Sequence, residues 1–201
     1  MDKHESAKIF IKNDILYPST ILSSLSHLKD DLPFKFPFII KPRSEGSSVG
    51  VSIIRKIEDI EDYTSKNIDR KEVLIQEFIN GPEINVAVIG DNKTGSIEID
   101  PKNEFYDYDA KYISDDTLHI QAELSSDELK DIKSISLDAF NTLGCKGWAR
   151  IDLLQDNDGK FYVIEVNTAP GMTAHSNVPK SGGFIGLSYK EVVQKIIDAS
   201  I

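Results

Sequence analysis

Apolar positions fall in short blocks separated by polar punctuation, and the blocks change period along the chain. Residues 2–12 cluster Ala7, Ile9, Phe10 and Ile11 late in a segment that reads as a short helix. A second helix is expected over 21–30, with Ser19 and Thr20 as caps. Pro33 and Pro37 end any helix there, and residues 38–40, held between Pro37 and Pro42, read as a buried strand. A Gly/Ser-rich turn at 44–50 leads to a strand at 51–54, a surface helix over 57–66 and a strand at 73–75. From Gly81-Pro82 the character changes, with strands at 84–89 and 96–99 showing alternating sides. Residues 101–118 are rich in Asp, Tyr and Lys without apolar period, and so long a loop is usually functional or disordered. The clearest helix covers 125–143: Ser125 and Ser126 precede Asp127 and Glu128, and Gly144 stops it. Strands at 149–154 and 161–166 flank the turn Asp156-Asn157-Asp158-Gly159, and a last helix occupies 188–199. Without a regular βαβ alternation the class expected is α+β, with a boundary near residue 80 that divides 1–80 from 81–201.

Composition narrows the class. The 201 residues, 40% of them hydrophobic, suffice for one large domain or two small ones with a real core. The longest apolar stretches, at 38–40 and 86–89, are far too short to cross a bilayer, and the charged first six residues carry no apolar signal segment. A single cysteine, Cys145, allows no intramolecular disulfide and fits a reducing cytoplasm; with no patterned histidine beside it, it reads as a small buried residue. The net charge of −10 argues against nucleic acid as a partner, because phosphate contacts need clustered Lys and Arg. An acidic protein that handles anions must gather its cations locally or recruit a metal. Two of the four arginines, Arg43 and Arg150, fall inside the segments that carry candidate chemistry.

The sharpest of these is Arg150-Ile151-Asp152, a hairpin, and then Glu165-Val166-Asn167. Alternate side chains of a strand share a face, so two carboxylates, one amide oxygen and one guanidinium would point the same way if these strands pair. Three hard oxygen donors plus phosphate oxygens describe a Mg²⁺ site; the plainer alternative is a polar outer face with ordinary ion pairing. A second segment, Lys41-Pro42-Arg43-Ser44-Glu45-Gly46-Ser47-Ser48-Val49-Gly50, puts a lysine at a strand end before small residues. Such a loop can wrap phosphates with backbone N–H groups, although it is no Walker sequence and Gly/Ser turns are often only turns. A third, Phe105 to Tyr112, reads as a solvated loop or as a lid delivering Lys111 and Tyr112 to a closed site. The fourth, Asn167 to Ser176, follows the metal-candidate strand with a Pro170-Gly171 turn; there Ser176 could bind a carboxylate, and His175 has no partner in the sequence.

Together, in this order and spacing, the four segments resemble D-alanine–D-alanine ligases, enzymes of the ATP-grasp type. The run Gly144-Cys145-Lys146-Gly147-Trp148 before Arg150 extends the likeness, which covers essentially the whole chain but not the N-terminal domain usual in the family. The resemblance implies an ATP-grasp fold of two α+β subdomains with the nucleotide between them, residues 1–80 forming the small central one and 81–201 the catalytic one. It implies D-alanine and ATP as substrates, Mg²⁺ or Mn²⁺ as the metal, and a cytoplasmic enzyme making D-alanyl-D-alanine through an acyl phosphate for peptidoglycan synthesis. Position by position, Lys3, Lys41 and Lys111 would meet ATP phosphates, Gln76, Glu77 and Ile79 the adenine, and Glu83 the ribose hydroxyls. Ser47 and Tyr112 would close the substrate pocket, and Asp152, Glu165 and Asn167 would hold the metal. Arg150 would stabilise the acyl phosphate, while Ser176, with the backbone of Asn177, would receive the second substrate. Two positions depart modestly from the family: Gln76 stands where Glu is common, and Asn177 where an apolar residue is usual. With the usual first domain absent, the further expectations are a separately encoded N-terminal domain or a homodimer as partner, or a truncated remnant that binds ATP without making a bond. D-lactate as acceptor is the remaining alternative, which the lid and Tyr112 disfavour.

Overall fold

A computed structural model describes residues 2–28, 32–46, 49–90, 92–100, 118–121 and 124–201, including side chains for all except His27, 92–100 and 118–121. The described residues divide into two compact units.

The first unit takes in residues 2–8 and 18–79. It holds the start of helix α1 (Lys3–Lys12), strands β1 (Thr20–Ser24), β2 (Phe38–Lys41) and β3 (Ser52–Ile54), helix α2 (Ile57–Lys66) and strand β4 (Glu72–Glu77). The antiparallel sheet runs in the order β1-β4-β2-β3. Its β2 is buried along its whole length, as a block of apolar residues between prolines requires. On one face Phe38, Ile40, Val73 and Ile75 meet Ile60 and Tyr63 of α2 together with Leu25 and Leu28. The opposite face is left to Ile39, Lys41, Leu74 and Gln76, which alternate with them. The helix expected over 21–30 is not formed: residues 20–24 are a strand and Leu25–His27 a 3-10 turn. Tertiary pairing overrides the local reading, because Thr20 to Ser24 line up with Gln76 to Glu72 and satisfy the backbone of β4 on its second side.

The second unit takes in residues 9–17, 80–100 and 118–201. Residues 9–17, expected with the first 80, cluster here because Phe10 packs on Tyr17 at 5.7 Å between ring centres and the Val163 N–H donates to the Leu16 carbonyl at 2.9 Å. Strands β5 (Glu83–Ile89), β6 (Asn92–Asp100), β7 (Leu118–Gln121), β8 (Trp148–Gln155) and β9 (Phe161–Asn167) form an antiparallel sheet in the order β7-β6-β5-β8-β9. Helix α3 (Ser126–Thr142) packs on β5, β8 and β9, burying Ile132, Ala139 and Phe140. Its start is the box the sequence announces: Ser125 accepts from the Glu128 N–H, and the Glu128 carboxylate accepts from the Ser125 N–H at 2.8 Å. The other face is partly covered by α4 (Asn177–Phe184) and α5 (Tyr189–Ser200), where Val178 and Val192 pack with Ala87 and Ile89. Helix α4 escapes a pattern reading, since Pro179, Gly182 and Gly183 lower its propensity. Pro179 sits in the first turn, where a missing N–H is tolerated, and a Cβ on Gly182 would lie 2.2 Å from Val192. No helix among the described residues is long and apolar enough to cross a membrane.

Candidate active site

In the second unit, strand register builds the polar face. Asn85, Asp152 and Glu165 lie opposite one another across β5, β8 and β9, and Ala87, Arg150 and Asn167 form the next row. Directly opposed residues of antiparallel strands share a face, so the guanidinium and the three oxygen donors are assembled as their spacing implies. The pairing skips Ile164, a bulge that adds twist beside the site. Arg150 and Asp152, 7% and 4% exposed, form a bidentate pair: Nε donates to Oδ1 at 2.6 Å and Nη2 to Oδ2 at 2.8 Å. Burial works against the guanidinium's charge, but Asp152, Glu83 and Glu165 outweigh it and hold its pKa above the ordinary value. Arg150 is thus a fixed positive charge inside an acidic rim.

The donor chemistry fits a hard divalent cation. Asp152 and Glu165 supply carboxylate oxygens, and each carboxylate has about four lone-pair sites, so the two hydrogen bonds from Arg150 do not exhaust Asp152. The Asn167 Oδ1 accepts from the Ala169 N–H at 3.1 Å, which bends the chain after β9 and leaves a second lone pair. Oxygen-only ligation suits Mg²⁺ or Mn²⁺ and not a thiophilic metal. Among the described residues there is no cluster of three or more His, Cys, Asp and Glu that could hold a metal, so any ion here must draw on the Asn167 amide and on ligand oxygens.

The chain after β9 turns through Pro170-Gly171 to the start of α4. The Ser176 Oγ accepts from the Thr173 N–H and shares a hydrogen bond with the Thr173 hydroxyl, both at 3.0 Å. A Cβ on Gly171 would come within 2.9 Å of that Oγ, so glycine permits the close turn. Ser176 caps α4 in extended conformation without a side-chain cap bond, leaving its hydroxyl beside the positive end of the helix. Asn177 is buried and donates from Nδ2 to the Asn85 Oδ1, and the Asn85 Nδ2 donates to the Glu83 Oε1 at 3.2 Å. His175 is exposed.

In the first unit the predicted cations are anchored by protein acceptors. Lys41, 6% exposed, donates from Nζ to the Gln76 Oε1 at 2.8 Å, while the Gln76 Nε2 donates to the Thr20 hydroxyl at 2.8 Å. Both ends of the Gln76 amide are therefore engaged by protein. Buried Lys3 donates to the Glu45 carbonyl, and Arg70 grips the Glu45 carboxylate, with Nη2 2.7 Å from Oε2. The Arg70 hydrogen bond holds the Glu45 carboxyl below its ordinary pKa, against burial. The Tyr63 hydroxyl donates to the Gly50 carbonyl at 2.9 Å, and burial pushes its pKa up to about 12. These contacts clamp both ends of the Gly/Ser segment. Glu77 is exposed, with its carboxylate 3.4 Å from the Ser19 N–H, and Ile79 is half-buried.

Ser47, Lys111 and Tyr112 lie outside the described residues. Within the second unit Glu83, Arg150, Asp152, Glu165 and Asn167 come together on one face, with Asn177 joined to it through Asn85. Sequence reasoning passed over Asn85 and Arg70. The signal for Asn85 was present in Glu83-Ile84-Asn85, two polar residues alternating with a buried one; Arg70 stands in a polar run with no signal of its own.

The chain matches the family described as "D-ala D-ala ligase C-terminus" over residues 22–198. It is 41% identical to a D-alanine–D-alanine ligase of Mannheimia succiniciproducens over 166 residues, 82% of this chain and 54% of that one, and so spans about half the length of the curated relative. A D-alanine–D-alanine ligase from Bacillus anthracis has the same fold: TM-score 0.83 at 34% identity, over 99% of this chain and 66% of that one. Its complex with ATP gives 0.80 at 30% identity, over 99% and 65%. The VanG D-Ala:D-Ser ligase of Enterococcus faecalis gives 0.84 at 27% identity, covering all of this chain and 62% of that one.

Proposed function

The chain belongs to the D-alanine–D-alanine ligase family, and we propose that it is the ATP-binding and catalytic part of a cytoplasmic enzyme joining two D-alanine molecules. The observation that carries the reading is the buried Arg150–Asp152 pair with Glu165 and Asn167 on the same strand face. In this reading the first unit is the small subdomain and the second the catalytic one.

A carboxylate oxygen of the first D-alanine attacks the γ-phosphorus of ATP, the bond to the β,γ-bridging oxygen breaks, and ADP leaves. The amine of the second D-alanine then attacks the acyl carbon; the carbon–oxygen bond to phosphate breaks, the amine gives up a proton, and inorganic phosphate departs with its electron pair. Both steps build charge on oxygen, which fixed cations stabilise without reorganising. Arg150 has five N–H donors, of which Asp152 takes two, so the others can face an acyl phosphate or tetrahedral oxyanion. Lys3 and Lys41, with Lys111 of the lid segment, neutralise phosphates, and Gln76 fixes Lys41 for that purpose. Gln76, Glu77 and Ile79 line the adenine, where Gln76, its side chain engaged, contributes its backbone. Glu83 holds the ribose hydroxyls. Ser47 and Tyr112 shut the pocket around the first substrate, and the start of α4 at Ser176 takes the second carboxylate at the positive helix end. Asp152, Glu165 and Asn167 would hold a Mg²⁺ or Mn²⁺ ion, which would supply further charge neutralisation for the phosphate oxygens.

The test is D-alanyl-D-alanine formation, read by mass, from the purified chain with ATP and Mg²⁺, alone and with the N-terminal part of a relative added in trans. Dipeptide is expected in the complemented reaction. A folded complex that binds ATP and Mg²⁺ but makes no dipeptide overturns the ligase reading in favour of an inactive nucleotide-binding chain. Competition by D-serine, the acceptor in the VanG enzyme's name, then fixes the second substrate.

A further inference from the structure

Three side chains run in one hydrogen-bonded line through the second unit. Asn177, the first residue of α4 and 6% exposed, donates to the Asn85 Oδ1; Asn85, 2% exposed, donates from Nδ2 to the Glu83 Oε1 at 3.2 Å. Asn85 also stands directly opposite Asp152 in the sheet. Two buried amides are demanding to hold, since each must find partners away from water. Here each serves the other: one end of the Asn85 amide is fixed by Asn177 and the other end is aimed at Glu83. An apolar residue at 177 would leave the Asn85 oxygen without this donor, and the amide could turn away from Glu83.

We propose that Asn177 and Asn85 are a positioning pair that sets the Glu83 carboxylate and ties the ribose end of the nucleotide site to the helix start that takes the second substrate. The inference rests on the reading of Glu83 as the ribose carboxylate. The two residues act through Glu83 and touch no reacting atom.

The test compares binding of ATP and of 2′,3′-dideoxy-ATP, with Mg²⁺, to the full chain by calorimetry. Wild type prefers ATP, and E83Q loses most of that preference. N177L lowers the ratio of the two affinities about fivefold, the size of one ordinary hydrogen bond lost. The double variant N85V/N177L removes both amides, so it recovers the thermal midpoint lost in N177L but not the preference for ATP. Recovery of both together, or an unchanged ratio in N177L and N85V/N177L, overturns the positioning pair while leaving the ligase reading intact. Should N177L not fold, the double variant alone decides. A wild-type chain that binds neither nucleotide overturns the nucleotide reading and this inference with it.

Discussion

Two arginine–carboxylate pairs, one in each unit, use the same bidentate chemistry for opposite purposes. Arg150 and Asp152 stand two residues apart on β8, 7% and 4% exposed. Arg70 and Glu45 are joined across a loop, 23% and 41% exposed. In the buried pair the strand fixes both partners, so little conformational freedom is lost in making it, and the low dielectric keeps its field strong. Its purpose is a guanidinium that is always charged and always aimed. The exposed pair is weakened by water and salt, and holds Glu45 at the start of the Gly/Ser segment.

The largest expected effect comes from breaking the buried pair. R150L leaves Asp152 buried without its guanidinium, and should cost about 3–5 kcal/mol in chemical denaturation. The double variant R150L/D152L should regain part of that loss, because no unpaired charge remains; equal losses in single and double variants would show that packing, not charge, dominates there. Next comes the buried polar contact of the first unit. Q76L removes one acceptor of Lys41 and a partner of Thr20, and should cost about 1–3 kcal/mol. Smallest is the exposed latch: R70M should cost about 1 kcal/mol or less, and the difference from wild type should vanish in about 1 M salt. A salt-independent loss would put this pair in the same class as Arg150–Asp152.

The exposed pair also carries a pH signature. The Glu45 carboxyl is held below its ordinary value of 4.5, chiefly by the Arg70 hydrogen bond. A depressed folded-state pKa contributes stability that is fully present above that ordinary value and is lost as pH falls through the folded-state pKa. The midpoint difference between wild type and R70M should therefore be present at pH 7 and shrink on acidification below 4.5; a difference that grows on acidification would contradict the assignment.

What could be read from sequence was what a strand or a cap encodes locally. Spacings of two place Arg150 with Asp152 and Glu165 with Asn167, and the Asp156 to Gly159 turn aligns the strands. Ser125 and Glu128 announce α3 by the same kind of short-range rule. Residues 21–30 read locally as a helix, whereas the strand at 20–24 takes its character from pairing with β4, a partner about 50 residues away. Helix α4 carries no local signal, because Gly182 and Pro179 lower propensity while serving packing against Val192 and the first turn. The Asn177–Asn85 contact joins positions 92 residues apart, which no local pattern encodes. Ser47, Lys111 and Tyr112 lie outside the described residues, so their roles stand on the family resemblance.

The decisive measurement is D-alanine-dependent phosphate release from ATP and Mg²⁺ by wild type and R150M, each complemented with the N-terminal part of a relative. If the β8–β9 face performs the chemistry, R150M should bind ATP and Mg²⁺ but release phosphate about 10²–10³-fold more slowly, the usual effect of losing one charge-stabilising donor. Phosphate release by a folded R150M at the wild-type rate would contradict it, and would move the reacting centre away from the hairpin.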